Sequence, residues 1–215
     1  MNHVPKDLLE KWLKGWSISR GKPLPEAWKS GYKIQVGDKE QKARYVFPEV
    51  NEDFIQLSEF IREPWVYLKV CASFEEFGTL IPERWKMQPQ GYMMHCPERM
   101  DIRESNLPNG YSMEVFEQQT NSFIVRIYSE HKKEAAIGRL VIIDGLAVYD
   151  RVKTEKDHQR RGLATKIIRQ LETIVLSQNV SNHFLVATDQ GKLLYESLGW
   201  KLYSLYSSMV IPEED

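Results

Sequence analysis

At 215 residues, with 29 basic and 30 acidic side chains, 42% hydrophobic content and a formal net charge of −1, the chain has the make-up of an ordinary globular protein of one large or two small domains. This balance excludes the basic excess expected of a nucleic-acid binder, since Arg160-Arg161 is a local pair and not a patch. No apolar run approaches the roughly 20 residues of a membrane span, and charges in residues 1–12 stand where a signal peptide carries its apolar core. Cys71 and Cys96 cannot build a disulfide framework and the histidines lack metal-ligand spacing, so a cytoplasmic protein with reduced thiols and no metal is expected.

Residues 1–32 are rich in tryptophan and punctuated by Pro5, Gly15, Gly21, Pro23, Pro25 and Gly31. Leu8, Leu9, Trp12, Leu13 and Trp16 recur at three- and four-residue spacing. That spacing predicts a short amphipathic helix over Lys6–Trp16, within a docking arm that packs its aromatics on the body of the protein. A strand pair follows at Lys33–Val36 and Ala43–Phe47, then a helix opened by Asn51 or Asp53, then a buried strand at Trp65–Ala72. Ser73-x-x-Glu76 has the reciprocal capping pattern that starts a helix. Gly91–Cys96 reads as a strand, and 97–110, with Pro97, Pro108 and the turn pair Asn109-Gly110, as a linker.

The second half is more regular. Phe123–Tyr128 is a predicted strand; Ala136–Ile143 and Leu146–Thr154 are two more, joined by Asp144-Gly145, the preferred pair for a two-residue hairpin turn. From Gln159 to Gln178 the apolar positions Leu163, Ala164, Ile167, Ile168, Leu171, Ile174 and Val175 form a helical stripe. Phe184–Ala187 is a short continuous apolar run, as expected of a central strand. Lys192–Leu198 is a second helix ended by Gly199, and Lys201–Ile211 supplies a last strand or hairpin. The expected order is β-β-β-α-β-α-β, an α+β fold with a mixed, mostly antiparallel sheet flanked by helices. An echo links the halves: Trp65–Ala72, a short helix, then Trp85-Lys86-Met87 and a strand mirror Phe184–Thr188, a helix, then Trp200-Lys201-Leu202 and a strand. A degenerate duplicate explains this about as well as chance likeness between two β-α-β units.

Residues 157–165, Asp-His-Gln-Arg-Arg-Gly-Leu-Ala-Thr, lie where the β-rich run meets the periodic helix. A helix start leaves backbone N–H groups without partners and carries the positive end of the dipole, so it suits an anion. Two arginines there oppose the dipole and cost stability, which favours a ligand over a merely solvated face. Gly162 lets the backbone approach that ligand closely. Neither G-x-x-x-x-G-K-[ST] nor G-x-G-x-x-G occurs in the chain.

Tyr149–Ala164, with its Gln159-x-x-Gly162-x-Ala164 core, closely resembles the acetyl-CoA-binding segment of the GNAT-superfamily N-acetyltransferases. The resemblance extends over about residues 111–212 and includes the helix end Leu194-Tyr195-Glu196-Ser197-Leu198-Gly199-Trp200. It implies a GNAT-like fold and a domain at 106–215, preceded by an α/β region at 1–105 that covers the acceptor side, as a lid or as a degenerate GNAT-like half. It also implies acetyl-CoA as co-substrate. The pyrophosphate would be held by Gln159, Arg160, Arg161, Gly162, Leu163, Ala164 and Thr165, and the pantetheine arm by backbone groups of Val152 to Thr154 on a splayed strand. Thr188 stands at the family's loop position. Tyr195 would protonate the departing thiolate or hydrogen-bond to it.

An amine acceptor must shed a proton near pKa ~10.4 before attack. Asp150 shares a strand face with Val148 and Val152 and is the candidate base; it could equally form a structural ion pair with Arg151. Glu114, Glu117 and Glu196 are weaker candidates, solvent is another, and His158 reads as a loop residue. The expected reaction is direct transfer of acetyl to a small-molecule or peptide amine by a monomer or homodimer. A non-catalytic acyl-CoA-binding sensor or regulatory module is the rival reading.

Overall fold

The computed structural model describes residues 4–100 and 106–213. The chain makes two compact units, one of residues 1–94, 186–192 and 202–215, the other of 95–185 and 193–201. A single cut between 105 and 106 does not reproduce them, because the chain returns to the first unit twice after residue 185. Residues 101–105, at that expected cut and in the middle of the expected linker, lie outside the described residues.

In the first unit, α1 (Lys6–Arg20) runs four residues past the expected Trp16 and ends at Gly21, whose φ of 60° and N–H bonds to Ile18 and Ser17 close the helix. Leu9, Trp12, Leu13 and Trp16 are all buried, and the Trp12 ring meets Tyr206 edge-on at 5.3 Å. The aromatics pack as their spacing predicts, but residues 1–32 are not an appended arm. β1 (Glu26–Trp28) pairs with β2 (Gly31–Asp38) and makes the segment part of the sheet. The expected strand pair becomes β2 and β3 (Gln41–Phe47), and α2 (Glu52–Phe60) is capped by Asn51, which accepts the Phe54 N–H at 3.1 Å.

β4 (Val66–Val70) runs parallel to β3 and antiparallel to β12 (Lys201–Val210). With β5 (Lys86–Met87) against β12 and with β6 (Gly91–Cys96), the strand order is β1-β2-β3-β4-β12-β6. The pairing of Ser207–Val210 with Tyr67–Val70 ties the C-terminal strand to the N-terminal half. Leu68, Val70 and Met209 bury one face of this sheet against Phe47, Phe54, Leu57, Phe77 and Trp85. The expected helix after Ser73 is cut to two 3-10 turns, Phe74–Glu76 and Gly78–Leu80. Its cap forms as predicted, the Ser73 N–H reaching Glu76 Oε1 at 2.8 Å. A Cβ on Gly78 would lie 2.5 Å from the Phe74 ring, and Pro82 follows, so no room is left for a full helix.

The second unit is built on β7 (Tyr111–Gln119), β8 (Ser122–Ser129), β9 (Glu134–Ile143) and β10 (Leu146–Thr154), antiparallel in sequence order. β11 (Asn182–Ala187) then pairs in parallel with β10. Asp144 and Gly145, at φ 48° and 75°, make the predicted hairpin turn. β7 has no counterpart among the predicted strands; it is an edge strand with Val115 and Phe116 exposed, so neither face shows an apolar alternation. α3 (Leu163–Ser177) lays Leu163, Ile167, Ile168, Leu171 and Val175 on this sheet. It comes close because Gly138 on β9 has no side chain: a Cβ there would sit 2.3 Å from Ile167 Cγ2. α4 (Asp189–Ser197) ends in the turn that places Gly199 at φ 91°. The whole is a mixed, mostly antiparallel α+β fold with four helices, the class the sequence predicts.

Candidate active site

Asp150 pairs with Arg139 and Lys153 with Ile137, so Arg151 and Val152 together face Gly138 in a β-bulge, with Arg151 at φ 52°. The parallel pairing of β10 with β11 is confined to Leu146–Val148. Beyond it, among the described residues, Tyr149–Thr154 have β9 on one side and no strand continuing on the other. Their outward backbone groups, including those of Val152 and Thr154, can therefore pair with an extended ligand as a strand would. The Thr154 hydroxyl is buried there without a hydrogen-bond partner.

After Thr154 the chain passes through a 3-10 turn at Lys156–His158, then Arg160 at φ 59° and Gly162 at φ 75°, before α3 begins. Such alternation of left-handed and ordinary residues forms an anion-binding nest of N–H groups. The first α3 bond runs from the Lys166 N–H to the Gly162 carbonyl at 3.1 Å. The N–H groups of Leu163, Ala164 and Thr165 precede it and have no helix carbonyl to reach. No side chain caps this end and its first turn holds no acid, which leaves the positive dipole end uncompensated.

The arginines divide. Arg161 donates to the Tyr111 hydroxyl at 3.1 Å and to the Asp157 carbonyl at 3.3 Å, and Tyr111 also meets His158 Nδ1 at 2.8 Å. Arg161 and His158 thus brace the turn against β7. Arg160 is exposed and makes no hydrogen bond or ion pair among the described residues. Gln159 is exposed with its amide 3.4 Å from the Thr154 carbonyl, and the Leu163 side chain is core, so only its backbone faces out.

Tyr195, on α4, is 7% exposed and packs on Trp200 at 5.4 Å between ring centres. Its hydroxyl makes no hydrogen bond among the described residues. Burial, and secondarily the Asp150 carboxylate, pushes its phenol pKa up, so both predicted catalytic residues share one neighbourhood and Tyr195 stays protonated at neutral pH. Tyr149 and His183 complete this aromatic cluster around Trp200, at 5.2 and 6.2 Å from its ring. Neither is a predicted site residue; a histidine beginning a four-residue apolar run was the available signal. Glu114, Glu117 and Glu196 are exposed, and Glu117 accepts the Asn121 N–H at 3.3 Å in the hairpin turn. Thr188 caps α4, its hydroxyl accepting the Gly191 N–H at 3.2 Å. Among the described residues no group of three His, Cys, Asp or Glu is placed to hold a metal, and no helix is long and apolar enough to cross a membrane.

The whole chain superimposes on a solved structure of a GCN5-related N-acetyltransferase from Kribbella flavida, covering 100% of this chain and 98% of that one, with a TM-score of 0.69 at 15% identity. The fold is that of the GCN5-related N-acetyltransferases. A GCN5-related N-acetyltransferase from Sphaerobacter thermophilus matches at TM-score 0.60 and 10% identity, over 86% of this chain and 78% of that one. A tandem GNAT protein from the clavulanic acid biosynthesis pathway matches at TM-score 0.60 and 10% identity, over 86% and 80%. No protein-family model matches the sequence, and no curated protein does. The GNAT fold therefore extends through the N-terminal hundred residues, where the motifs of the second half have no counterpart.

Proposed function

We propose that this protein is an acetyl-CoA-dependent N-acetyltransferase that passes acetyl directly to a primary amine. The observation that carries the reading is the pairing, within one unit of a GNAT-type fold, of an unpartnered β10 edge with an uncapped α3 start. One suits the extended amide arm of a coenzyme A and the other its pyrophosphate. Arg160 supplies a charge free to move onto phosphate, while Arg161 keeps the turn in shape.

In the reaction the amine nitrogen bonds to the acetyl carbon, the carbon–sulfur bond breaks, and the amine proton leaves to Asp150 or to solvent. The β10 N–H groups next to the bulge are the donors that would polarise the carbonyl. Tyr195 faces a choice of roles. A thiol has a pKa near ~8.5, below any phenol and further below one raised by burial, so full proton transfer from Tyr195 runs uphill. Its role is therefore a hydrogen bond to the forming thiolate, with the proton coming from solvent. Cys71 and Cys96 are buried free thiols whose pKa values burial pushes up, so neither is primed as the nucleophile of an acyl-enzyme. Two reduced thiols also suit a cytoplasmic protein.

The test is thiol release from acetyl-CoA, measured with and without an amine panel. Release that depends on the amine and falls about 10- to 100-fold in Tyr195→Phe, the worth of one hydrogen bond to a charged sulfur, supports the reading. Acetyl-CoA binding without turnover for any amine would make the protein a binding module instead.

A further inference from the structure

The first unit contains a cavity of about 350 Å³ on the sheet face opposite its apolar core. Strand alternation determines what lines it. Tyr67 and Lys69 project from one face of β4, Leu68 and Val70 from the other. Ser208 stands opposite Lys69 on β12, and Arg44 on β3 is in register with Tyr67. The cavity thus has Arg44, Lys69, Tyr67, Tyr206 and Ser208 in its wall, with the amide of Gln90 at its rim.

Two of these groups are cations taken out of water. Lys69 is 8% exposed and Arg44 6%. Lys69 donates to Ser208 Oγ at 2.5 Å and lies 4.8 Å from the Tyr67 ring centre and 5.6 Å from that of Tyr206. No carboxylate pairs with it among the described residues. Arg44 stacks on Trp16 at 3.6 Å and donates to Gln41 at 3.2 Å. Among the described residues no acidic side chain lines the cavity.

A buried ammonium without a counter-charge is costly and is kept only against some gain. Burial first, then Arg44 and Arg20, hold the Lys69 ammonium well below its ordinary pKa. The phenols of Tyr67 and Tyr206 are both raised and stay neutral. An acidic group entering here would meet Arg44 and Lys69 and find aromatic walls for an organic body. The volume is that of a small molecule and far above the ~30 Å³ share of one water.

We infer that this cavity binds a small organic anion, its acidic group held between Lys69 and Arg44 and its body against Tyr67 and Tyr206. Thr188, at the family's loop position, also lines the cavity, whereas the residues expected to hold pyrophosphate and pantetheine do not; binding here needs no turnover to be seen. The chemistry admits a carboxylate or a phosphate monoester, and the test has an arm for each.

Calorimetric titration of the full chain with benzoate, phenyl phosphate and neutral benzamide decides the matter. Binding of either anion at least tenfold tighter than benzamide supports the site, and the stronger of the two names the acid. In Lys69→Met and Lys69→Gln that preference should fall at least tenfold. Equal affinity for benzamide, no binding of either anion, or anion affinity unchanged in both variants would overturn the inference. The comparison of the anions with benzamide is read on the wild type alone, so it decides the matter even if neither variant folds.

Discussion

The Tyr149 hydroxyl lies 2.9 Å from Nδ1 of His183, and both rings are buried against Trp200. Burial pushes the Tyr149 phenol well above its ordinary pKa and the imidazole down to about 4. A neutral phenol and a neutral imidazole thus share this hydrogen bond, its direction set by the imidazole tautomer. This pair anchors the start of β11 to β10, directly before the point where their pairing stops.

A pH dependence of stability follows from that pair. Below the unfolded value near 6.5 the unfolded chain takes up a proton that buried His183 refuses until about pH 4. The stabilisation is full above pH 6.5 and is lost as pH falls toward 4, by at most about 3 kcal/mol. Urea unfolding of wild type and His183→Phe between pH 7 and 4 should show this loss in the wild type alone. Parallel pH profiles would assign the buried imidazole no part in acid stability.

Gly138 sets how closely α3 approaches the sheet. In Gly138→Ala the new Cβ would meet Ile167 Cγ2 at 2.3 Å and Leu171 Cδ1 at 3.2 Å, so the helix must shift. Overpacking of this kind costs about 1–3 kcal/mol, or roughly 2–12 °C in Tm for a chain of this size. Because α3 carries the proposed pyrophosphate site, affinity for CoA should fall with it. Ile167→Ala, which removes that Cγ2, should cost less stability in the Gly138→Ala background than in the wild type, and independent effects of the two changes would refute the contact.

At Gly162 the expectation is reversed. A Cβ there would meet nothing within 4 Å, so Gly162→Ala pays only for a non-glycine residue at φ 75°, about 1 kcal/mol. The same Cβ would stand where phosphate approaches, so CoA affinity should drop tenfold or more while Tm moves only a few degrees. Arg160→Ala should weaken CoA binding in a salt-dependent way without changing Tm. Arg161→Ala should lower Tm as well, because it releases Tyr111 and the Asp157 carbonyl.

What could be read from the sequence follows how each element is buried. The α3 stripe, the Asp144-Gly145 turn and the strands β8 to β10 each bury one defined face, and the pattern shows it. β7 buries neither face and β1 has only three residues, so no periodicity marks them. The capping box at Ser73 was legible, but how far its helix would run depended on Phe74 closing over Gly78. The return of residues 202–215 to the first unit rests on the β4–β12 register, a contact between residues far apart in the chain. The motif names Asp150 and Tyr195, which the fold brings into one neighbourhood, whereas Lys69 carries only a faint sign, one lysine within Val-Tyr-Leu-Lys-Val. Its meaning appears only when Arg44 arrives from another strand.

Lys69 also has a signature in the free protein. Its pKa is lowered on folding, so between that value and about 10.5 the unfolded chain binds one proton more. Lys69's contribution to stability should therefore rise with pH in this range, by up to about 1.4 kcal/mol per pH unit. The thiols of Cys71 and Cys96, raised by burial, act in the opposite sense and cancel in a comparison with a Lys69 variant. Measurements belong below pH 10, because above it the raised phenols of Tyr149, Tyr195 and Tyr206 act in the opposite sense, the folded state then holding the extra protons. Lys69→Met removes the buried amine and should be at least as stable as wild type at pH 7, since an apolar group of similar size bears no desolvation cost. Denaturant unfolding at pH 7, 8 and 9 should show the wild type gaining on the variant at each step. A constant difference between the two would mean that Lys69 keeps its ordinary pKa and that the cavity wall is wetter than its burial implies.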